Sequence, residues 1–163
     1  MSTISTMKEF KAALDSLTDV QQRVLGAQFI AEVLDLTDDN RLRDVQSIAG
    51  KAHASAEELL DAYSKARSIT VELSLHGDFD LIDFKKQAAH FVAKGCSTCL
   101  APVPVSIKDQ HRAWNVAHYC REARICADMG HEEDIESLSE VEKDLHKAIA
   151  RQYALTSNFL TQA

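Results

Sequence analysis

The chain has 163 residues and a formal net charge of −7, and 45% of its residues are hydrophobic. A chain of this length buries roughly two-thirds of its unfolded surface, so we expect one domain, residues 1–163, without disulfides. The negative charge argues against a nucleic-acid partner and favours a neutral or basic protein surface. The apolar runs are far shorter than the roughly 20 residues that cross a bilayer, which argues against a membrane protein. The first residues lack a signal-peptide pattern, so we expect a cytoplasmic protein.

Long stretches without turn residues predict an all-α fold, a bundle of six or seven mostly antiparallel helices. Only five glycines and two prolines are present, whereas sheets need frequent turns. The first helix is predicted over residues 6–16. A capping box at Thr18–Gln21 begins a second helix that runs to about Leu36, with Val20 on its inner stripe.

Further start signals divide the middle of the chain. Residues 37–40 are predicted to cap a third helix. A capping box at Ser55–Glu58 begins a fourth, with Leu60 facing inward and an end near His76 and Gly77. The segment 69–75 resembles a strand, but a lone strand has nothing to pair with, so we interpret it as the end of this helix.

The remaining helices follow from the same signals. Asp78 or Asp80 is predicted to cap the fifth helix and Gly95 to end it, which leaves residues 96–105 irregular. Ser106 or Asp109 begins a helix that ends at Gly130. A capping box at Ser137–Glu140 begins the last helix.

All four cysteines lie between residues 96 and 126, and the closest pair is Cys96-Ser-Thr-Cys99. In the reducing cytosol such a pair suggests thiol chemistry, because a helix N-terminus can acidify its first thiol. The familiar redox context, a strand followed by a loop and a helix, is not predicted here. A redox pair formed by Cys96 and Cys99 is therefore one alternative.

Zinc binding is the second alternative for this segment. A structural zinc site needs four ligands, and Cys96 with Cys99 supplies one half. His111 and His118 are seven residues apart on a predicted helix and share a face, so they could supply the other half. Cys120 lies among small apolar residues and is predicted to be a core residue. The exposure of Cys126 cannot be predicted from its position.

A polar face is predicted on the same helix, where Trp114, His118 and Glu122 follow one another at helical spacing. Tryptophan is enriched at interface hot spots, so these residues form a possible binding surface. In the structural interpretation, which we prefer, Trp114 closes the edge of the core and the histidines lie at its rim.

A family resemblance is carried by residues 25–66. A helix end at Ala27–Leu36 precedes Asp38-Asp-Asn-Arg-Leu-Arg43, and two helices follow with alanines at 49, 52, 62 and 66. This order is similar to that of a family of small helical bacterial proteins, the immunity proteins of toxin systems. The resemblance implies a non-enzymatic binding protein, and it assigns no functional residue to this chain.

Together these observations predict a protein that acts through protein–protein interaction, in an immunity or regulatory role, and not as an enzyme. The competing class is a metal or thiol protein centred on Cys96 and Cys99, with zinc as the cofactor. A homodimer is a further expectation, because the apolar last helix, with Tyr153 and Phe159, needs covering.

Overall fold

The predicted all-α fold class is confirmed. The computed structural model describes residues 3–74, 83–102, 111–130 and 137–163, and these contain seven α-helices and no strand. The helices are α1 (Met7–Asp15), α2 (Asp19–Ala31), α3 (Asn40–Ala49), α4 (Ala56–Glu72), α5 (Phe84–Leu100), α6 (Arg112–Met129) and α7 (Ser137–Gln162). Within these ranges, no helix is both long and apolar enough for a membrane span.

The helix starts follow from side chains that satisfy the first free backbone N–H groups. Thr18 and Gln21 form the predicted capping box of α2, and Ser55 and Glu58 form that of α4. A third box, Thr6 with Glu9, begins α1, and its hydrogen bonds lower the pKa of the Glu9 carboxyl to about 2. Local sequence therefore determines where these helices begin.

Two helix boundaries differ from the prediction, the C-terminal end of α2 and the start of α5. The α-helical part of α2 ends at Ala31, and a short 3-10 turn, Leu34–Leu36, continues the chain. The N-cap of α5 is Asp83, whose side chain accepts a hydrogen bond from the backbone N–H of Lys86. The predicted caps Asp78 and Asp80 lie outside the described residues.

The predicted end of α5 at Gly95 is wrong, since the helix continues to Leu100. Gly95 lies within the helix. A Cβ at this position would meet Ile30 and Tyr119 at 3.8 Å, an ordinary van der Waals distance. The helix ends because Ala101 precedes Pro102 and adopts the extended conformation that proline imposes on the residue before it. Residues 96–100 are therefore helical and not part of an irregular connection.

Several other predicted boundaries lie outside the described residues. These are the fourth helix's end at His76 and Gly77, the irregular residues 103–105, and the starts at Ser106 or Asp109. Helix α6 begins at Arg112 and ends at Met129, and its C-cap is Gly130, the residue predicted to end it. Helix α7 begins at Ser137, whose side chain is not described, so the predicted capping box there is not tested.

The core is centred on the packed pair α5 and α6, which α2 crosses on one side. Small residues allow the close approach. A Cβ on Gly26 of α2 would lie 3.1 Å from Cys99 Sγ and 3.5 Å from a methyl group of Val116. Glycine at position 26 thus lets three helices meet. In the last helix, Tyr153 and Phe159 pack against the same core cluster.

Two glycine substitutions test this packing. We expect Gly95→Ala to raise the free energy of unfolding by about 0.5–1 kcal/mol, because alanine favours the helix and its methyl group has room. Gly26→Val should lower it by about 1–3 kcal/mol through overpacking against Cys99. Urea denaturation followed by circular dichroism measures both. Equal effects of the two substitutions would contradict the proposed three-helix contact.

Candidate functional site

The two closest cysteines lie in the last turns of α5, three residues apart, and both side chains are fully buried. Burial is the main cause that raises the pKa of the Cys96 thiol well above its usual value. Burial also raises the pKa of Cys99 to about 12, although the nearby Arg112 and Arg23 act in the opposite direction. The Cys99 thiol donates to the backbone carbonyl of Arg23 at 3.2 Å.

This environment is the reverse of that of a reactive redox pair. Such cysteines are partly exposed and have a lowered pKa, so that the thiolate forms near neutral pH. Here the pair lies near the C-terminus of its helix, where the macrodipole disfavours a negative charge. Cys96 and Cys99 are free thiols in the core, together with Cys120 and Cys126.

The structure does not bring the four predicted zinc ligands together. No group of three or more His, Cys, Asp or Glu side chains suitable for a metal occurs in the part of the chain described. His111 precedes α6, and its Nδ1 lies 2.7 Å from a carboxylate oxygen of Asp15. His118 is exposed on the surface of α6, whereas Cys96 and Cys99 are in the core.

The polar face of α6 divides into a core edge and a surface. The half-buried Trp114 ring lies 6.0 Å from the ring of Phe10, and the ammonium group of Lys11 lies 5.7 Å from its centroid. His118 Nε2 and Glu122 Oε1 are 3.7 Å apart at the surface. Trp114 thus packs at the edge of the core, as we preferred. Cys120 is buried as predicted, and Cys126 is buried as well.

A cavity of about 440 Å³ is formed where the ends of five helices, α2 to α6, meet. Its wall includes Val20 at the start of α2 and Leu60 in α4, which are 47% and 57% exposed. Both residues were predicted to face inward, so this part of the prediction is wrong. Each helix has one apolar stripe in the core, and these two residues lie beside it, facing the cavity.

Two arginines line this cavity although each is almost completely buried, Arg23 at 5% and Arg112 at 4% exposure. Arg23 Nη1 donates to the carbonyl oxygens of Ala49 and Lys51, the latter at 2.8 Å, at the C-terminus of α3. These bonds satisfy carbonyl groups that the helix itself leaves free, and the positive charge suits that end of the helix dipole.

Arg112 binds free backbone carbonyl groups at the C-terminus of α5 in the same way. Its Nη1 donates to the carbonyl oxygens of Thr98 and Cys99, at 3.2 and 2.7 Å. Its Nε donates to Asp19 Oδ1 at 3.0 Å, and this ion pair joins α6 to the N-terminus of α2. The cavity wall is therefore held by buried, charge-assisted hydrogen bonds.

A second surface feature is the outer face of α4, which we call the α4 face and define as Leu60, Tyr63, Arg67 and Val71. Leu60 and Val71 are 57% and 58% exposed, and they are eleven residues, about three turns, apart. Between them, Arg67 donates to the hydroxyl of the partly buried Tyr63 at 3.2 Å, and its guanidinium carbon lies 5.9 Å from the centroid of that ring.

No family model matches the chain, and neither the curated proteins nor the solved structures contain a significantly similar protein.

Sequence reasoning missed the arginine-lined cavity. The available signal was Arg23 itself, a charged residue directly before Val24 and Leu25 in a helix with a broad apolar face. Its partners are backbone carbonyl groups of a helix that begins at residue 40, and no side-chain pattern marks them. The cysteine motif was the more conspicuous signal, and it lies in the core.

Thiol labelling tests the environment of the cysteines. We expect no fast-reacting thiol in the native protein near neutral pH, because burial raises the pKa of each one. All four should react rapidly in denaturant, which serves as the control. Absorbance of a chromogenic disulfide reagent gives the rates. A single thiol that reacts within the mixing time of the native protein would instead support the redox interpretation.

Proposed function

We propose that the protein acts by binding another protein, in an immunity or regulatory role, and that the α4 face is the contact surface. The main support is that Leu60 and Val71, two large apolar side chains, are exposed on the same side of one helix. Tyr63 and Arg67 lie between them, and tyrosine and arginine are enriched among residues that dominate binding energies.

Charge indicates the chemistry of the partner. The helix that carries this face has four acidic and two basic side chains, and the whole chain is acidic. Asp61 and Glu72 are paired with Lys65 and Arg41, whereas the exposed Glu57 is in none of the ion pairs seen among the described residues. Interfaces are complementary in potential, and like charges across them cost several kcal/mol. The proposed partner is therefore a protein with an apolar patch and a basic rim. The resemblance of residues 25–66 to immunity proteins supports the same class of function.

The Tyr63–Arg67 pair supports this proposal because it is already ordered. The hydrogen bond and the ring contact hold both long side chains in one arrangement. Less side-chain entropy is then lost when a partner docks. An exposed leucine and valine at the two ends of this pair supply apolar contact area.

The test is a substitution in a complex with an identified partner. The tagged chain is used to isolate a partner from the source cell, and the purified pair is titrated by calorimetry. We expect Val71→Asp to weaken binding at least tenfold, about 1.4 kcal/mol, because it places a charge in the apolar contact.

The matched control is Leu138→Asp. Leu138 is also 58% exposed, but it lies in α7 and outside the α4 face. It should leave the affinity unchanged, and circular dichroism should show that both variants retain the helical fold. Equal losses in the two variants, or a purified partner that shows no binding, would refute the proposal.

A further inference from the structure

We infer that the cavity between the N-termini of α2, α4 and α6 and the C-termini of α3 and α5 binds a small amphipathic carboxylate, with its apolar tail against the alanines and leucines and its carboxylate toward Arg23. This site differs in position and in ligand from the α4 face, although Leu60 borders both. It therefore does not depend on the protein partner proposed above.

The size and lining of the cavity suit a small molecule. Its volume of about 440 Å³ falls within the range of roughly 300–1,000 Å³ typical of ligand pockets. Nine of its twelve lining residues are apolar, and the other three are Asp19, Arg23 and Arg112. An apolar wall with a few convergent polar groups is the usual composition of a binding site for an organic ligand.

Arg23 has hydrogen-bond donors that no protein group uses among the described residues. Its Nη1 is occupied by the two carbonyl groups at the end of α3. Its Nε and Nη2 form no hydrogen bond within the ranges that the structure covers, and neither is a fully buried unpaired atom, so both remain accessible to a ligand. A guanidinium group presents its donors in a planar fork that matches a carboxylate, and hydrogen bonds between these charged groups are strong.

The net charge of the cavity favours a monoanion. Asp19 is paired with Arg112, so the two guanidinium groups and one carboxylate leave a single positive charge. Five helix ends border the cavity. The N-termini of α2, α4 and α6 carry partial positive charge, and the C-termini of α3 and α5 carry partial negative charge, so the helix ends do not oppose an anion. A cation or a neutral ligand would leave the net positive charge unbalanced.

Calorimetric titration with octanoate tests the ligand class. We expect saturable binding with one site per chain. Octan-1-ol, which has the same tail without the charge, should bind at least tenfold more weakly, and octylamine should not bind. Equal affinities for octanoate and octan-1-ol would overturn the inference, as would the absence of saturable octanoate binding.

Substitution at the rim locates the site without disturbing Arg23, which supports the end of α3. Val20→Asp places a negative charge at the cavity wall, in the first turn of α2, where an acidic residue suits the helix dipole. We expect it to weaken octanoate binding at least tenfold while the melting temperature of the free protein stays close to that of the wild type.

Val71→Asp is the control, because Val71 is exposed and does not line the cavity. This substitution should leave octanoate binding unchanged, even though we expect it to weaken binding of the protein partner. The two proposals therefore fail separately. An equal loss of octanoate affinity in Val20→Asp and Val71→Asp, or no loss in Val20→Asp, would refute the assignment of the site.

Discussion

The arrangement of helices depends on two buried guanidinium groups that bind the free carbonyl ends of helices other than their own. Arg23 of α2 holds the end of α3, and Arg112 of α6 holds the end of α5. A buried charge is costly unless it is hydrogen-bonded, so breaking the carbonyl contacts of these two Nη1 atoms would be unfavourable. They hold the ends of α3 and α5 against the neighbouring helices, and the cavity lies where these ends meet.

The same constraint explains the composition of the centre. Because α2, α5 and α6 approach closely, their contact surfaces carry glycine, alanine and cysteine, and at Gly26 even a Cβ would be crowded by Cys99. Cysteine serves here as a small apolar residue with a weak donor, and Cys99 uses that donor on the carbonyl group of Arg23. The thiols are thus accounted for by packing.

The sequence predicts those features that are decided within one or two helical turns. Thr18 and Ser55 were identified as caps because their partners lie three residues away. Gly95 was mistaken for a helix end because glycine often ends helices, but the extended backbone before Pro102 ends this one. The predicted all-α class follows from the same local signals.

The candidate site was not predictable because its interactions are remote along the chain. Arg112 meets Asp19, which is 93 residues away, and Arg23 meets backbone groups 26 and 28 residues away. Backbone acceptors have no sequence signature, and an isolated arginine is normally expected at the surface. Val20 and Leu60 are exposed because of how the helix ends meet. The periodicity of the sequence does not contain that information, and it wrongly assigned both residues to the core.

The ion pair between Arg112 and Asp19 also has a consequence for biosynthesis. The ribosome synthesises α2 long before α6. During translation Asp19, at the start of α2, therefore has no ion-pair partner until Arg112 has been synthesised. The surroundings of Arg23 are complete only when α5 and α6 have emerged, because Leu100 and Arg112 line the same cavity. Acquisition of the native state is therefore a late event in the synthesis of this chain.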